Sequence, residues 1–154
     1  KAQPAVAPYP FTTREPIPGM MDYEDVRVQL VDLPPVTADH YDHFVTDLTR
    51  GADAAVLFLD LADDDGPAAT QATLDRLKQA RRELVPELPA DEDPATYSLK
   101  TLLVATKADD EAADIRLEFA REAFGNRFPF HVVSAETGAG IPELRKAIYD
   151  RLGV

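Results

Sequence analysis

The stretch TLLVATKAD, residues 101–109, changes abruptly from an unbroken apolar run to a polar segment. An apolar run of this length, without alternation, is typical of a strand that helices cover on both faces. In open α/β sheets, ligands bind just beyond the carboxyl ends of such strands. Residues 106–109 are therefore the first place to look for a binding site.

Two more strands of this kind flank the segment in the sequence. Residues 54–60, AAVLFLD, form an apolar run that ends in an aspartate, and residues 128–133, FPFHVV, run into the loop SAETG. Helical patterns accompany the strands at residues 67–84, 113–124 and 140–152. Residues 85–98, rich in proline and acidic side chains, are expected to form an exposed loop. This alternation predicts an α/β fold with a mostly parallel sheet and helices on both faces.

The first third of the chain follows a different pattern. Residues 17–32 carry apolar side chains on either side of Glu24-Asp25, which predicts a β-hairpin that adds one antiparallel edge strand to the sheet. Residues 38–50 place apolar side chains at helical spacing before Gly51 and predict a short amphipathic helix. Residues 1–18 are rich in proline, which fixes φ and disfavours helix, so we expect an extended segment there.

Composition narrows the class of protein. With 154 residues, 45% of them hydrophobic, the chain suits one packed domain. Its 16 basic and 28 acidic residues give a net charge of −12, which repels a phosphate backbone, so we expect no direct nucleic-acid binding by this segment. The chain has no cysteine, which excludes disulfides and fits a cytoplasmic location. No apolar stretch approaches the roughly 20 residues of a membrane span, so we expect no membrane partner.

Two short motifs follow the later strands. Thr106-Lys107-Ala108-Asp109 and Ser134-Ala135-Glu136-Thr137-Gly138 resemble the TKxD and SAxxG elements of GTPases. A carboxylate at Asp109 can accept hydrogen bonds from N1–H and the 2-amino group of guanine, which adenine cannot offer. The Lys107 stem can lie along the purine plane, and the Ala135 N–H can donate to the guanine O6. The predicted nucleotide-binding residues are Thr106, Lys107, Asp109, Ser134, Ala135 and Glu136.

The most specific string lies near the start of the chain. Residues 6–16, VAPYPFTTREP, resemble the "YPFTT.EP" switch I signature of Obg/DRG-type GTPases. The similarity continues through Asp32-Leu33-Pro34, residues 54–61 and both motifs above, so it covers nearly the whole chain. The resemblance implies a Ras-like P-loop NTPase fold of the translation-factor type. Residues 1–154 are then a partial GTPase domain, with residues 1–18 as a switch I-like segment and residues 19–154 as the remainder.

The resemblance also implies a set of ligands. The family binds GTP or GDP with Mg²⁺, and by position Thr13, with Thr12 as the alternative, would ligate the metal beside the γ-phosphate. Asp32 would hold Mg²⁺ through a water. The sequence departs from the family at Pro35, which replaces a glycine and has no N–H for a γ-phosphate. The next residue, Val36, agrees with the family, which usually has an apolar side chain there. Because Pro35 affects a contact with the γ-phosphate, the departure concerns the nucleotide-dependent switch more than guanine binding.

A second departure concerns the phosphate-binding loop. The pattern GxxxxGK[ST] does not occur in the 154 residues, and in the family it immediately precedes the region of residues 1–8. We therefore expect a fold that is incomplete at its N-terminus, a chain that is an excerpt of a longer protein, and an isolated chain that is inactive. In the intact protein we expect GTP hydrolysis. By resemblance, a ribosome-associated or RNA-associated partner would bind through another domain.

Two alternatives remain open at the level of sequence. A degenerate, non-catalytic interaction module with a GTPase fold would account for Pro35 and for the absent phosphate loop. An unrelated receiver-like or flavodoxin-like domain would carry these motifs by chance.

Other polar groups predict no site: the acidic residues at 60–65 are interpreted as solvated, and His40 and His43 lack a third metal ligand at useful spacing.

Overall fold

The computed structural model describes residues 17–91 and 93–153. Residues 1–16 of the predicted extended segment 1–18, with Thr12 and Thr13, lie outside these residues, and so do the side chains of residues 17 and 18. In chain order the elements are β1 (Ile17–Tyr23), β2 (Val26–Asp32), α1 (His43–Gly51), β3 (Ala55–Asp60), α2 (Gly66–Gln79), β4 (Arg82–Val85), β5 (Tyr97–Thr106), α3 (Ala113–Phe124), β6 (Phe130–Val132) and α4 (Ile141–Leu152).

A parallel sheet is built around β5. Strand β3 pairs with residues 101–106 of β5, and β6 pairs with residues 103–105 of the same strand. Strands β3 and β6 therefore lie on opposite sides of β5. Strand β4 pairs in parallel with residues 97–100. Every pairing in this sheet is parallel, which confirms the predicted α/β class.

The apolar run that begins at Thr101 lies at the centre of the core. Leu103, Val104 and Ala105 are fully buried, as expected for a strand covered on both faces. Leu103 and Ala105 belong to a cluster, with Leu59, Leu61 and Phe124 among its members, that packs the sheet against α2 and α3. This packing holds the carboxyl ends of β3 and β5 side by side, since Asp60 is in register with Thr106.

The hairpin has the predicted bounds but a different place in the fold. Strands β1 and β2 pair antiparallel from Ile17↔Asp32 to Tyr23↔Val26. Within the described residues they form a two-stranded sheet of their own, instead of the expected edge of the parallel sheet. At the hairpin tip the rings of Tyr23 and Tyr149 contact each other, tilted by 42° with centroids 4.9 Å apart, and Arg145 donates to the Asp22 carbonyl. These contacts connect the hairpin to α4.

Two predicted helices have different bounds in the structure. The helix expected from residue 38 begins at His43, because the carboxylate of Asp42 caps it by accepting from the Phe44 N–H at 3.0 Å. The helix expected to end at residue 84 ends at Gln79, because Arg81 takes a left-handed φ of 62° and turns the chain into β4. Strand β4 and the first residues of β5 replace parts of the predicted helix and loop.

The remaining elements are close to their predicted bounds. Helix α3 covers the predicted residues, α4 begins one residue later than expected, and β6 is a shortened form of the strand predicted over residues 128–133. Among the described residues, no helix has the length and apolar character that crossing a bilayer requires.

Candidate functional site

Three loops meet at the carboxyl edge of the parallel sheet. They follow β3, β5 and β6, and backbone hydrogen bonds join them directly. The Leu61 N–H donates to the Thr106 carbonyl at 3.0 Å, and the Ala108 N–H donates to the Val133 carbonyl at 3.1 Å. The loop at residues 106–110, which contains the TKAD motif, is therefore held from both sides.

The two sequence motifs contact each other through Ser134 and Asp109. The Ser134 hydroxyl donates to Oδ1 of Asp109 at 2.6 Å and accepts from the Thr137 N–H at 3.1 Å. Ser134 is only 1% exposed, whereas Asp109 is exposed to solvent. A carboxylate has about four acceptor positions, so the bond to Ser134 leaves Asp109 able to accept hydrogen bonds from a ligand.

Lys107 occupies an unusual backbone position beside this pair. Its φ is 61°, in the left-handed region, which costs a residue other than glycine on the order of 1–2 kcal/mol. Its ammonium lies 3.0 Å from Oδ2 of Asp60, and the other oxygen of Asp60 accepts from the Ala62 N–H at 2.8 Å. Such strained residues cluster at ligand sites. Asp60 thus joins the loop after β3 to Lys107.

The SAETG loop is closed by its own backbone. The Gly138 N–H donates to the Ser134 carbonyl at 2.8 Å, and the Ser134 N–H donates to the Ala139 carbonyl at 2.9 Å. Gly140 has φ 76°, and a Cβ there would overlap the carbonyl oxygen of Val132. The loop is therefore compact, and it leaves Ala135 and Glu136 exposed at its surface.

One predicted metal residue, Asp32, lies outside these three loops. Asp32 ends β2 in the two-stranded sheet, where desolvation raises the pKa of its carboxyl although much of the side chain is exposed. Thr13 and Thr12 lie outside the described residues. In the segment that follows Asp32, Pro34 is fully buried and the Val36 carbonyl accepts from the Thr73 hydroxyl at 2.7 Å. This segment, which contains Pro35, is anchored on α2.

Sequence reasoning missed the side chains that hold the TKAD loop. Asp60 was interpreted as part of a solvated acidic loop, yet it pairs with Lys107, and Arg116 was not singled out although it contacts Leu61, Asp64 and Asp110. One signal was available for Asp60: it ends a strand next to the one that ends at Thr106, so their following residues were bound to be close. No motif marks Arg116.

In the described part of the chain, no group of three or more histidine or acidic side chains is arranged to hold a metal.

Comparison with known proteins identifies relatives that are GTPases. A family described as "50S ribosome-binding GTPase" matches residues 1–107. The chain is 30% identical to the GTPase Obg of Solibacter usitatus over 98% of this chain and 44% of that protein. It is also 30% identical to the GTPase Obg of Akkermansia muciniphila, over 99% of this chain and 43% of the relative. The chain thus spans less than half the length of these curated relatives.

The fold also resembles that of a solved GTPase domain. The G domain of the T. maritima FeoB iron transporter covers 96% of this chain and 82% of its own length, with a TM-score of 0.58 and 22% identity. At this identity the likeness concerns the fold, and it agrees with the Ras-like architecture that the sequence predicted.

Proposed function

Because the chain belongs to the 50S ribosome-binding GTPase family, we propose that it is the guanine-recognising part of an Obg-like GTPase that hydrolyses GTP to GDP and phosphate. The observation that carries the proposal is the contact between Asp109 and Ser134, at 2.6 Å, where the two family motifs meet. Hydrolysis is assigned to the intact protein, since this chain is less than half as long as its curated relatives.

Base selection is the step that the described residues perform. The Ser134 hydroxyl fixes one oxygen of Asp109, and the buried position of Ser134 fixes the hydroxyl in turn. The Asp109 carboxylate then accepts from the N1–H and the 2-amino group of guanine. Adenine presents neither donor, so its binding would leave the acceptors of Asp109 unmatched. Sites built on such pairs can reject the wrong ligand by up to about 10⁵-fold.

Lys107 and the SAETG loop complete the base pocket in this proposal. The contact with Asp60 holds the Lys107 ammonium at the loop after β3, which leaves the aliphatic stem to cover one face of the purine. Thr106, the last residue of β5, places this lysine at the end of the strand. The exposed Ala135 offers its N–H to the guanine O6, and Glu136 follows it in the same loop. These contacts add apolar coverage and one further donor to the selection made by Asp109.

The phosphate and metal side of the site involves other residues. We propose that Asp32 and Thr13 serve a Mg²⁺ ion bound with the nucleotide. An aspartate and a threonine hydroxyl suit this ion, which prefers oxygen ligands and retains several waters. Desolvation raises the Asp32 pKa, and a nearby cation would favour the charged carboxylate. The ion would neutralise charge on the phosphates during transfer, while these residues hold it in place.

Partner binding is proposed only for the intact protein. The family description names ribosome binding, and the net charge of −12 makes direct RNA contact by this chain unfavourable. A ribosomal or RNA-associated partner would therefore bind through another part of the protein. We also propose a cytoplasmic location, in keeping with a chain that has no cysteine.

Calorimetric titration of Mg·GDP and Mg·ADP into the intact protein tests the proposal. We expect GDP to bind at least about 100-fold more tightly than ADP, because only guanine offers Asp109 two donors. GTP turnover, followed as phosphate release, should be present in the same preparation. Equal affinity for the two diphosphates, or no binding of either, would contradict the assignment.

A further inference from the structure

Arg116, on helix α3, joins the loop after β3 to the loop after β5. Its Nη1 donates to the Leu61 carbonyl at 3.0 Å and to Oδ2 of Asp110 at 3.1 Å. Its Nε donates to Oδ1 of Asp64 at 2.9 Å, and Nη2 contacts the same oxygen. The three acceptors come from two loops separated by more than 40 residues in the sequence. One guanidinium therefore fixes the distance between these loops.

The position of Arg116 makes this link stronger than a surface ion pair. Its side chain is only 21% exposed, and it makes charge-assisted hydrogen bonds to two carboxylates and one carbonyl. Arginine is suited to such a role because its donors have a fixed planar arrangement, whereas lysine offers one flexible point charge. Exposed single ion pairs, by contrast, often contribute nothing measurable.

Asp110 transmits this restraint to the TKAD loop. Its carboxylate, held by Arg116, also accepts from the Ala112 N–H at 3.1 Å. Its backbone N–H donates to the Lys107 carbonyl at 3.0 Å. Asp110 thus closes the turn that starts at the strained Lys107 and runs into α3. Asp109, immediately before Asp110, is held by Ser134 on one side and by this turn on the other.

We infer that Arg116 is a positioning residue for guanine recognition: through Asp110 it sets the place of the Asp109 carboxylate and the Lys107 side chain. It acts without touching the nucleotide. The inference rests on the proposed function, since it assigns a determinant of base selectivity to the same site. Its distinctive consequence is that loss of Arg116 weakens the contacts of Asp109 with the base, beyond any effect on stability.

Inosine diphosphate separates positioning from general stabilisation. Inosine lacks the 2-amino group of guanine, so its complex has one fewer bond to Asp109. A displaced Asp109 therefore costs GDP more affinity than it costs IDP, and the GDP:IDP affinity ratio falls. A variant that is merely less stable binds both ligands with the wild-type ratio, because both require the same folded state.

The experiment compares Arg116→Ala, Arg116→Lys and the control Arg121→Ala in the intact protein. Arg121 is on the same helix, and its guanidinium lies over the Phe130 ring, 4.8 Å from the centroid. GDP and IDP affinities are measured by calorimetry, well below each variant's melting temperature. For Arg116→Ala we expect GDP affinity to fall about tenfold and the GDP:IDP ratio to fall several-fold. Arg116→Lys should lie between this variant and the wild type, and Arg121→Ala should keep both wild-type values.

A second variant covers the case in which Arg116→Ala does not fold. Asp64→Ala removes the most exposed partner of Arg116 and leaves the arginine in place, so a smaller fall in the ratio is expected. Wild-type protein that fails to bind GDP would overturn the proposed function, and this inference with it. Wild-type protein that binds GDP, together with an unchanged GDP:IDP affinity ratio in each of these variants that folds, would overturn this inference alone.

Discussion

At the scale of single residues, Gly140 shows how closely the base loop is built against the sheet. Its φ of 76° and the nearby Val132 carbonyl exclude a side chain for two separate reasons, conformational and steric. Gly138, two residues earlier, has φ 83°, but beyond its chain neighbours no atom lies within 4 Å of where a Cβ would be. The two glycines therefore separate the cost of the backbone conformation from the cost of the collision.

Alanine substitution at these glycines gives a matched pair. We expect Gly138→Ala to lower the free energy of unfolding by about 1–2 kcal/mol, the cost of a left-handed residue. Gly140→Ala adds a collision with backbone and should lower it by about 3 kcal/mol or more. Urea denaturation followed by circular dichroism measures both values. Equal losses in the two variants would show that the loop moves freely away from Val132.

The same scale shows which contacts of the site a sequence can predict. Asp109 and Ser134 could be expected to lie close because their motifs follow strands of one parallel sheet. The pairing of Lys107 with Asp60 and the contacts of Arg116 could not, because they depend on side-chain directions in three loops. Local patterns identify strand ends, whereas the packed fold decides which side chains meet there.

At the scale of elements, β4 begins at a buried arginine that donates hydrogen bonds to α1 and to the turn after α2. Arg82 is 7% exposed. Its Nη2 donates to the Thr46 carbonyl in α1 at 3.3 Å, and its Nη1 donates to the Arg81 carbonyl, just after α2, at 3.3 Å. Its Nε donates to the Thr49 hydroxyl at 2.9 Å. These carbonyl and hydroxyl acceptors satisfy the buried guanidinium, whose charge would otherwise be costly to remove from water.

The sequence predicted a helix to residue 84, and this prediction was wrong because the end of the helix depends on the contacts of Arg82 with α1. Apolar spacing continues past Gln79, and nothing local signals that Arg82 will turn inward to contact α1. The contact between Arg82 and Thr46 spans 36 residues, so it forms only in the folded chain. By contrast, α3 and the hairpin strands were predicted with the correct bounds, because their own periodicity and flanking turns determine them.

Replacement of Arg82 tests the role of this contact. Arg82→Met keeps much of the side-chain volume but removes the buried hydrogen bond to the Thr49 hydroxyl and the part-buried bonds to the Thr46 and Arg81 carbonyls. We therefore expect a loss of about 2–3 kcal/mol in the free energy of unfolding. Lys78→Ala, at an exposed position near the end of α2, should change stability by less than about 0.5 kcal/mol. Thermal and urea denaturation measure both variants. A neutral effect of Arg82→Met would mean that packing alone holds β4 on β5.

At the scale of the whole molecule, the described chain consists of a parallel sheet with its helices and a separate hairpin. The sheet carries the base-recognition residues, and the hairpin carries Asp32, the proposed metal residue. The contacts at the hairpin tip, between Tyr23 and Tyr149 and between Arg145 and Asp22, connect the hairpin to α4. The sequence predicted both parts but placed the hairpin at the edge of the sheet, because strand patterns do not specify which neighbour a strand will pair with.

The central claim is that the sheet edge selects guanine through Asp109, and a change of base tests it most directly. In Asp109→Asn the introduced amide can accept from N1–H but donates at the position where guanine also donates. Xanthine has a carbonyl at that position and complements the amide.

Titration of GDP and xanthosine diphosphate into wild-type and Asp109→Asn intact protein therefore measures one pair of contacts. We predict that the variant loses GDP affinity by about 10- to 100-fold and gains affinity for xanthosine diphosphate by a similar factor. Unchanged preference for GDP in the variant would contradict the claim.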